Sequence, residues 1–345
     1  MITAMKSPDH KGVKPMLKVA ALLLFSLFLF TGWPSQSSAQ TSDLSAVPAS
    51  FVDIGFGSRP AGMGSAFVGL ADDANSVYWN PAGLATLQGY QVHAMHTKQF
   101  GLIHYSYLTG AAQLGNNRGV GISLISSGDD LMREFSFHGA YSQKVGPVRV
   151  GAALKYRYAG FGNNVFNEDD YYVFEPDEID EGKLNQVSGS AHGVGFDIGA
   201  LYQPLDIVTL GVMLRDIYSP IFWNSEIGNP DKSAKGSYSE TTPFEVIVGA
   251  AVRAHENMLV TTDFMPSYDD DTDHVLRIGG ELTLWKMVFL RAGTQQRINS
   301  YNDDTYTLGT GIQVMDQKKR SVSLNYTYWI EDIHNTHRFG LALSF

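Results

Sequence analysis

Thr336-His337-Arg338-Phe339-Gly340-Leu341-Ala342-Leu343-Ser344-Phe345 alternates at nearly every step. Phe339, Leu341, Leu343 and Phe345 fall on one face of a strand. Arg338, Gly340, Ala342 and Ser344 fall on the other, because successive strand side chains point to opposite sides. One face suits lipid and the other a polar lumen, the pattern of a membrane-spanning β-strand. Alone, such a strand would leave backbone groups unpaired in hydrocarbon, so the rest of the chain must close a barrel.

The N-terminus agrees. Lys6, Lys11, Lys14 and Lys18 precede an apolar run from Val19 to Phe30, and Ser37-Ser38-Ala39 offers a small-residue cleavage site before Gln40. Residues 1–39 are therefore expected to be a secretory signal peptide, which Met16 could also open. The apolar run is too short for a membrane helix, which needs about 20 residues. Removing 1–39 takes away four lysines and one aspartate, so 25 basic against 35 acidic residues becomes 21 against 34, a net charge of −13. An acidic mature chain argues against nucleic acid as a partner. There is no cysteine, which excludes disulfides, thiolate metal sites, a thiol nucleophile and a lipidated N-terminal cysteine. The chain is 44% hydrophobic, yet its mean hydropathy is only −0.11. Lipid-facing and lumen-facing residues that alternate would average out in this way.

From Tyr90 onward the chain breaks into alternating segments separated by turn signals. Strands are expected at 89–97, 101–112, 119–127, 133–144, 147–160, 191–203, 207–216, 243–254, 257–266, 274–285, 287–298, 304–315, 320–330 and 336–345. Fourteen is an even number, as in single-chain bacterial barrels. Counting back from Phe345 at the periplasmic end, the periplasmic turns are short: Asp316–Lys319, Lys286, His255–Glu256, Pro204–Asp206, Val145–Gly146 and Gln113–Arg118. The opposite set holds the long connections Phe161–Ser190 and Ile217–Thr242, together with Ser267–Asp273, Asn299–Asp303 and Glu331–Asn335. This asymmetry belongs to outer-membrane barrels. Tyr156, Tyr158, Tyr328 and Trp329 near outer strand ends, and Trp285 at an inner turn, suit interfacial girdles. A soluble β-sandwich would alternate too, but gives no reason for the leader or the loop asymmetry.

Residues 51–84 are rich in Gly and Ala and do not alternate. Asp72 or Asp73 can cap a short helix over Ala74–Tyr78, and Asn80 can cap a second one with Pro81 at its first position, running to Leu87. Residues 40–88 are expected to fold as a plug inside the barrel of residues 89–345. Gly62-Met63-Gly64-Ser65-Ala66, Ala71-Asp72-Asp73-Ala74 and Trp79-Asn80-Pro81-Ala82-Gly83-Leu84 resemble the N-terminal signature of the PorV/PorQ family, which is related to FadL-like long-chain fatty-acid transporters. The Asn-Pro-Ala tripeptide is similar to one in the hatch of FadL-like proteins, and the strand count matches theirs. The resemblance marks Gly62, Gly64, Asp72, Asp73, Asn80, Pro81 and Ala82 as plug residues. Terminal Phe345 resembles the signal recognised by the outer-membrane barrel-assembly machinery.

The expected lumen face carries Arg149, Lys155, Arg157, Arg215, Arg253, Arg277, Arg291 and Arg338 against Glu134, Asp197, Glu245, Asp263 and Glu281. These bases could guide anionic head groups, since arginine grips carboxylates bidentately, or they could pair across a packed lumen. The acidic clusters Glu168–Glu181 and Asp269–Asp271 match no calcium-loop spacing and suit a solvated surface. His93 and His96 lie on opposite strand faces and cannot chelate together. Gly193-Val194-Gly195 and Gly309-Thr310-Gly311 sit in strands, without the helix that a phosphate loop needs. No nucleophile elbow occurs, and no enzyme activity, cofactor or metal is expected.

Two functions follow from the resemblance for a protein of the bacterial outer membrane in contact with its lipid. One is passage of small hydrophobic or amphipathic molecules, which requires an apolar pocket beside the plug and a gap or kink in the wall. The other is a type IX secretion component that docks exported cargo proteins at the surface through its outer loops. For that role Ile221-Phe222-Trp223 is a candidate anchor, unless it packs on the barrel rim.

Overall fold

The computed structural model describes residues 51, 54–115, 117–129, 131–162, 187–227, 235–267, 273–298, 304–317, 320–332 and 334–345. The expected signal peptide and both acidic clusters lie outside the described residues.

The chain forms β1 (Tyr90–Gln99), β2 (Ile103–Gln113), β3 (Arg118–Gly128), β4 (Met132–Val145), β5 (Val148–Phe161), β6 (Val187–Leu205), β7 (Val208–Tyr218), β8 (Pro220–Ile227) and β9 (Lys235–Thr241). It continues as β10 (Glu245–His255), β11 (Met258–Met265), β12 (His274–Leu284), β13 (Val288–Ile298), β14 (Thr305–Met315), β15 (Ser321–Ile330) and β16 (Thr336–Ser344). All belong to one antiparallel sheet, in which β16 pairs back with β1. Setting aside the β8–β9 hairpin, fourteen strands close the barrel. No described helix is long and apolar enough to cross a membrane.

Closure rests on the last strand, Thr336–Ser344, and on Phe345. Phe345 N–H donates to the Tyr90 carbonyl at 2.9 Å, and Tyr90 N–H donates to the Phe345 carbonyl at 3.2 Å. Above them, Val92 opposes Leu343 and His96 opposes Phe339. Arg338 is fully buried toward the lumen, whereas Phe339 is 59% exposed on the outer face. The period-2 pattern thus sets both the face and the register of the last strand.

Every expected barrel strand is present, with ends displaced by a few residues. The largest displacement is at β6, which begins at Val187 rather than 191 because Ser188-Gly189-Ser190, a turn-like sequence, pairs with β8. The reading of Ile217–Thr242 as a long loop is corrected: most of it is the β8–β9 hairpin, which continues the wall outward beyond β7 and β10. Ile221 and Trp223 face inward and pack with Phe51, Phe161 and Tyr238, while Phe222 points out. An apolar residue on both faces hid the alternation there.

The wall is irregular between β6 and β7. Pairing of β6 with β7 jumps from Ile198↔Leu214 to Phe196↔Tyr218, so β7 carries two extra residues. Consecutive Arg215 and Asp216 are both buried, and Asp216 has φ 54. Its N–H donates to Asp197 Oδ1 at 2.8 Å. A bulge of this kind bends a strand and re-aims side chains.

Candidate functional site

Residues 54–87 lie inside the barrel, almost all buried. They form α1 (Ser58–Gly62), α2 (Ser76–Trp79) and a 3-10 turn over Pro81–Thr86. These helices are too short to persist alone, so the wall must hold them. Local chemistry still sets their ends. Asp73 Oδ1 accepts the Asn75 N–H at 2.8 Å just before α2, and Asn80 Oδ1 accepts the Ala82 N–H at 3.2 Å with Pro81 at the first position of the turn.

Three cross-strand glycine pairs seat the plug backbone. Gly279 opposes Gly293, Gly211 opposes Gly249, and Gly151 opposes Gly199. A Cβ on Gly293 would meet Gly64 N and the Met63 carbonyl carbon. One on Gly211 would meet the Val68 carbonyl, and one on Gly151 the Pro81–Ala82 peptide. The plug answers with its own glycines: Gly64, at φ +61, lies against the Thr294 backbone, and Gly69 against Gly249 and Ala250. Backbone meets backbone at a spacing that side chains would forbid.

Hydrogen bonds then lock this contact. The Asp263 carboxylate, 1% exposed, accepts N–H groups from Phe67 at 2.7 Å, Val68 at 2.8 Å and Gly69 at 3.3 Å. Asn80 Nδ2 donates to the carbonyls of Val68 at 3.0 Å, Ala200 at 3.3 Å and Val212 at 3.4 Å. The Asn80 side chain therefore ties two turns of the plug to two wall strands. Asn80→Asp keeps the cap acceptor but turns the donor into an oxygen facing carbonyls. It is expected to lower stability by about 2 kcal/mol, measured as a shift in urea unfolding in lipid vesicles.

The paired acids of the motif are also fastened. Arg59 binds Asp72 at 2.6 Å, Asp73 at 2.9 Å and Glu281 at 3.0 Å, and Glu281 also binds Arg291 at 2.6 Å. Burial by itself would raise the Asp73 carboxyl, but neighbouring His93 and Arg59 more than offset it and hold it below the ordinary carboxylate range.

The basic residues of the lumen separate into groups. Arg291 binds Glu281 and donates to Asn325 Oδ1 at 2.8 Å. Lys155 binds Asp197 at 2.8 Å and Asp216 at 3.1 Å, while Arg157 binds Asp216 at 3.0 Å and also reaches Ser219 and Thr242. Arg215 pairs with Glu245 at 3.2 Å and lies over the rings of Tyr78 and Trp79. Arg277 donates to Gln295 at 2.9 Å and lies over Trp79. Arg338 donates to the plug carbonyls of Ile54 at 2.8 Å and Gly55 at 2.5 Å and covers Trp329. Arg149 and Arg253 stand apart near the periplasmic ends of β5 and β10; Arg253 is exposed, and Arg149 donates to Gln203 at 3.3 Å. His93 turns inward to Asn75, and His96 turns outward.

Among the described residues, two cavities lie against the plug. The outer one, about 200 Å³, has an aromatic side of Phe51, Phe56, Tyr78 and Tyr105 and a charged side that includes Lys155, Arg157 and Arg215. It adjoins the bulge at Arg215–Asp216. The inner one, about 240 Å³, is lined by Arg59, Asp73, His93, Glu281 and Arg291 among others. Asp263 and the wall glycines were not singled out from the sequence as plug contacts. Their signal is a glycine or a lone acid on the lumen face of a strand, visible only once the register is known.

The family model described as type IX secretion system membrane protein PorP/SprF matches residues 73–342. No curated protein matches the chain. Among solved structures, the chain is similar to the CymD monoaromatic hydrocarbon channel, with 13% identity, TM-score 0.57, and coverage of 85% of this chain and 98% of that one. It is also similar to the Pseudomonas putida toluene transporter TodX, at 13% identity and TM-score 0.55 over 84% of this chain and 97% of that one. The Ralstonia pickettii toluene transporter TbuX gives 11% identity and TM-score 0.56 over 84% and 97%. At such identities the likeness is one of fold.

Proposed function

The chain belongs to the PorP/SprF family of type IX secretion system membrane proteins, and from that premise we propose that it serves secretion as a sealed barrel, docking exported cargo or its machinery at the outer surface. Family and barrel together place it in the bacterial outer membrane. The sequence resemblance to PorV/PorQ led to the same secretion context, although the family shown is PorP/SprF. One observation carries the docking reading: the lumen is filled by a plug seated on glycine pairs and bonded through Asp263, Asn80 and Arg59. A polypeptide has no room to pass beside it. The wall extends outward as the β8–β9 hairpin, stiffened by buried Trp223, and offers a platform on the cell surface.

A second reading is favoured by a separate observation, the outer cavity beside the wall bulge at Arg215–Asp216. Its aromatic and cationic sides suit a small amphipathic molecule with an anionic head, and the similar barrels CymD, TodX and TbuX are described as hydrocarbon channels or toluene transporters. Gene deletion separates the two readings. We expect loss of specific secreted proteins from the medium with unchanged uptake of labelled toluene and fatty acid. Loss of uptake with an intact secreted proteome would overturn the docking reading in favour of the conduit.

A further inference from the structure

The outer face of β1–β3 interrupts its own apolar pattern. His96 opposes Ser106, Ser106 opposes Ser126, and Lys98 opposes His104. All these residues lie on the outward face of the wall, where His96 Nδ1 bonds Ser106 Oγ at 3.0 Å and stacks on His104 at 5.6 Å. This polar band is bracketed by apolar surface. Below it stand Ala94, Leu108 and Leu124; above it the β1–β2 tip exposes Phe100, Leu102 and Ile103. Strands tilted by about 40° climb roughly 2.5 Å per residue along the axis, which puts His96 about 15 Å above Tyr90 and Lys98 about 20 Å, inside or at the rim of a band about 25 Å tall. Polar side chains at that depth are costly and mark function.

Directly beneath, the wall is concave. A groove of about 780 Å³ runs over small Ala94, between Phe339 and Leu341 on one side and Leu108 and Leu124 on the other. It is continuous with the lipid-facing band, and its outer end reaches His96 and Ser106. The chain is acidic overall, yet the outward face of β1–β3 carries Lys98 and two imidazoles and no carboxylate among the described residues. We propose that this is a binding site for a phosphate-bearing glycolipid of the outer leaflet, lipopolysaccharide. One acyl chain fills the groove, and a phosphate rests against Lys98, His104 and His96, near the membrane rim where a lysine can reach the head groups.

Lys98→Glu reverses the charge at the head, and Ala94→Trp fills the groove. Leu154→Trp, on the exposed face of β5, serves as a control. Native mass spectrometry of each purified full chain in mild detergent reads the bound lipid, with folding checked by heat-modifiable migration. The wild type should retain lipopolysaccharide. Each site variant should retain about tenfold less, as loss of a charge-assisted contact implies, and the control should be unchanged. Titration with purified lipopolysaccharide and with phosphatidylglycerol should favour the first. Equal retention by all proteins, preference for phosphatidylglycerol, or a co-purifying protein lost on Ala94→Trp would each overturn the proposal; either site variant suffices if the other fails to fold.

Discussion

Asp263→Ala is expected to loosen the plug and cost about 4 kcal/mol of stability, because three buried N–H donors lose their acceptor at once. Phe67, Val68 and Gly69 donate to that carboxylate, and Gly69 lies against the Gly249–Ala250 backbone. Asp263→Asn keeps one oxygen and should lose about half as much. Urea unfolding in lipid vesicles checks both values, and protease access to the plug in intact cells checks the cause. An Asp263→Ala barrel as stable and as resistant as the wild type would mean that the plug is held elsewhere.

The second large effect is expected from Gly293→Val. Any side chain there projects into the Gly64 N–H and the Met63 carbonyl carbon, and the partner residue across the strand pair is Gly279, itself covered by Met63. The wall cannot retreat without breaking its ladder, so the plug must move. Overpacking a close contact costs roughly 1–3 kcal/mol and shifts backbone. The variant should assemble as a barrel yet admit large antibiotics, measured as increased cell sensitivity. Gly139→Val is the matched control, since a Cβ at Gly139 meets nothing within 4 Å. Equal sensitivity of the two variants would contradict the glycine seat.

Much of this architecture was legible before any coordinates, for a physical reason. A two-sided wall between lipid and lumen imposes a period of two on every strand, and a one-residue slip would turn Arg338 into the membrane. That rule held for β16 and for the β5 face that carries Lys155 and Arg157. It failed at Ile221-Phe222-Trp223, where both faces are apolar and the hairpin read as loop. The cap at Asn80 was readable because it is local, whereas the expected cap at Asp73 is instead a turn ahead of α2, whose N-cap position is Asn75. α1 was not readable, since Ser58–Gly62 has no side-chain cap and only five residues, and its position is set by Thr307, Thr327 and Gly309 far along the chain. The glycine pairs were invisible for the same reason: Gly211 and Gly249 acquire meaning only in register with each other and with Gly69. The lumen arginines were legible as a set, but their partners were not. Lys155 and Arg157 meet Asp216 only through the bulge in β7.

Reconstitution of the purified wild-type chain in planar lipid bilayers tests the sealed barrel most directly. A plug fastened at Asp263, Asn80, Arg59 and the three glycine pairs predicts a silent membrane, with no stable ionic conductance over sustained recording. A steady open channel from the wild-type protein would contradict it.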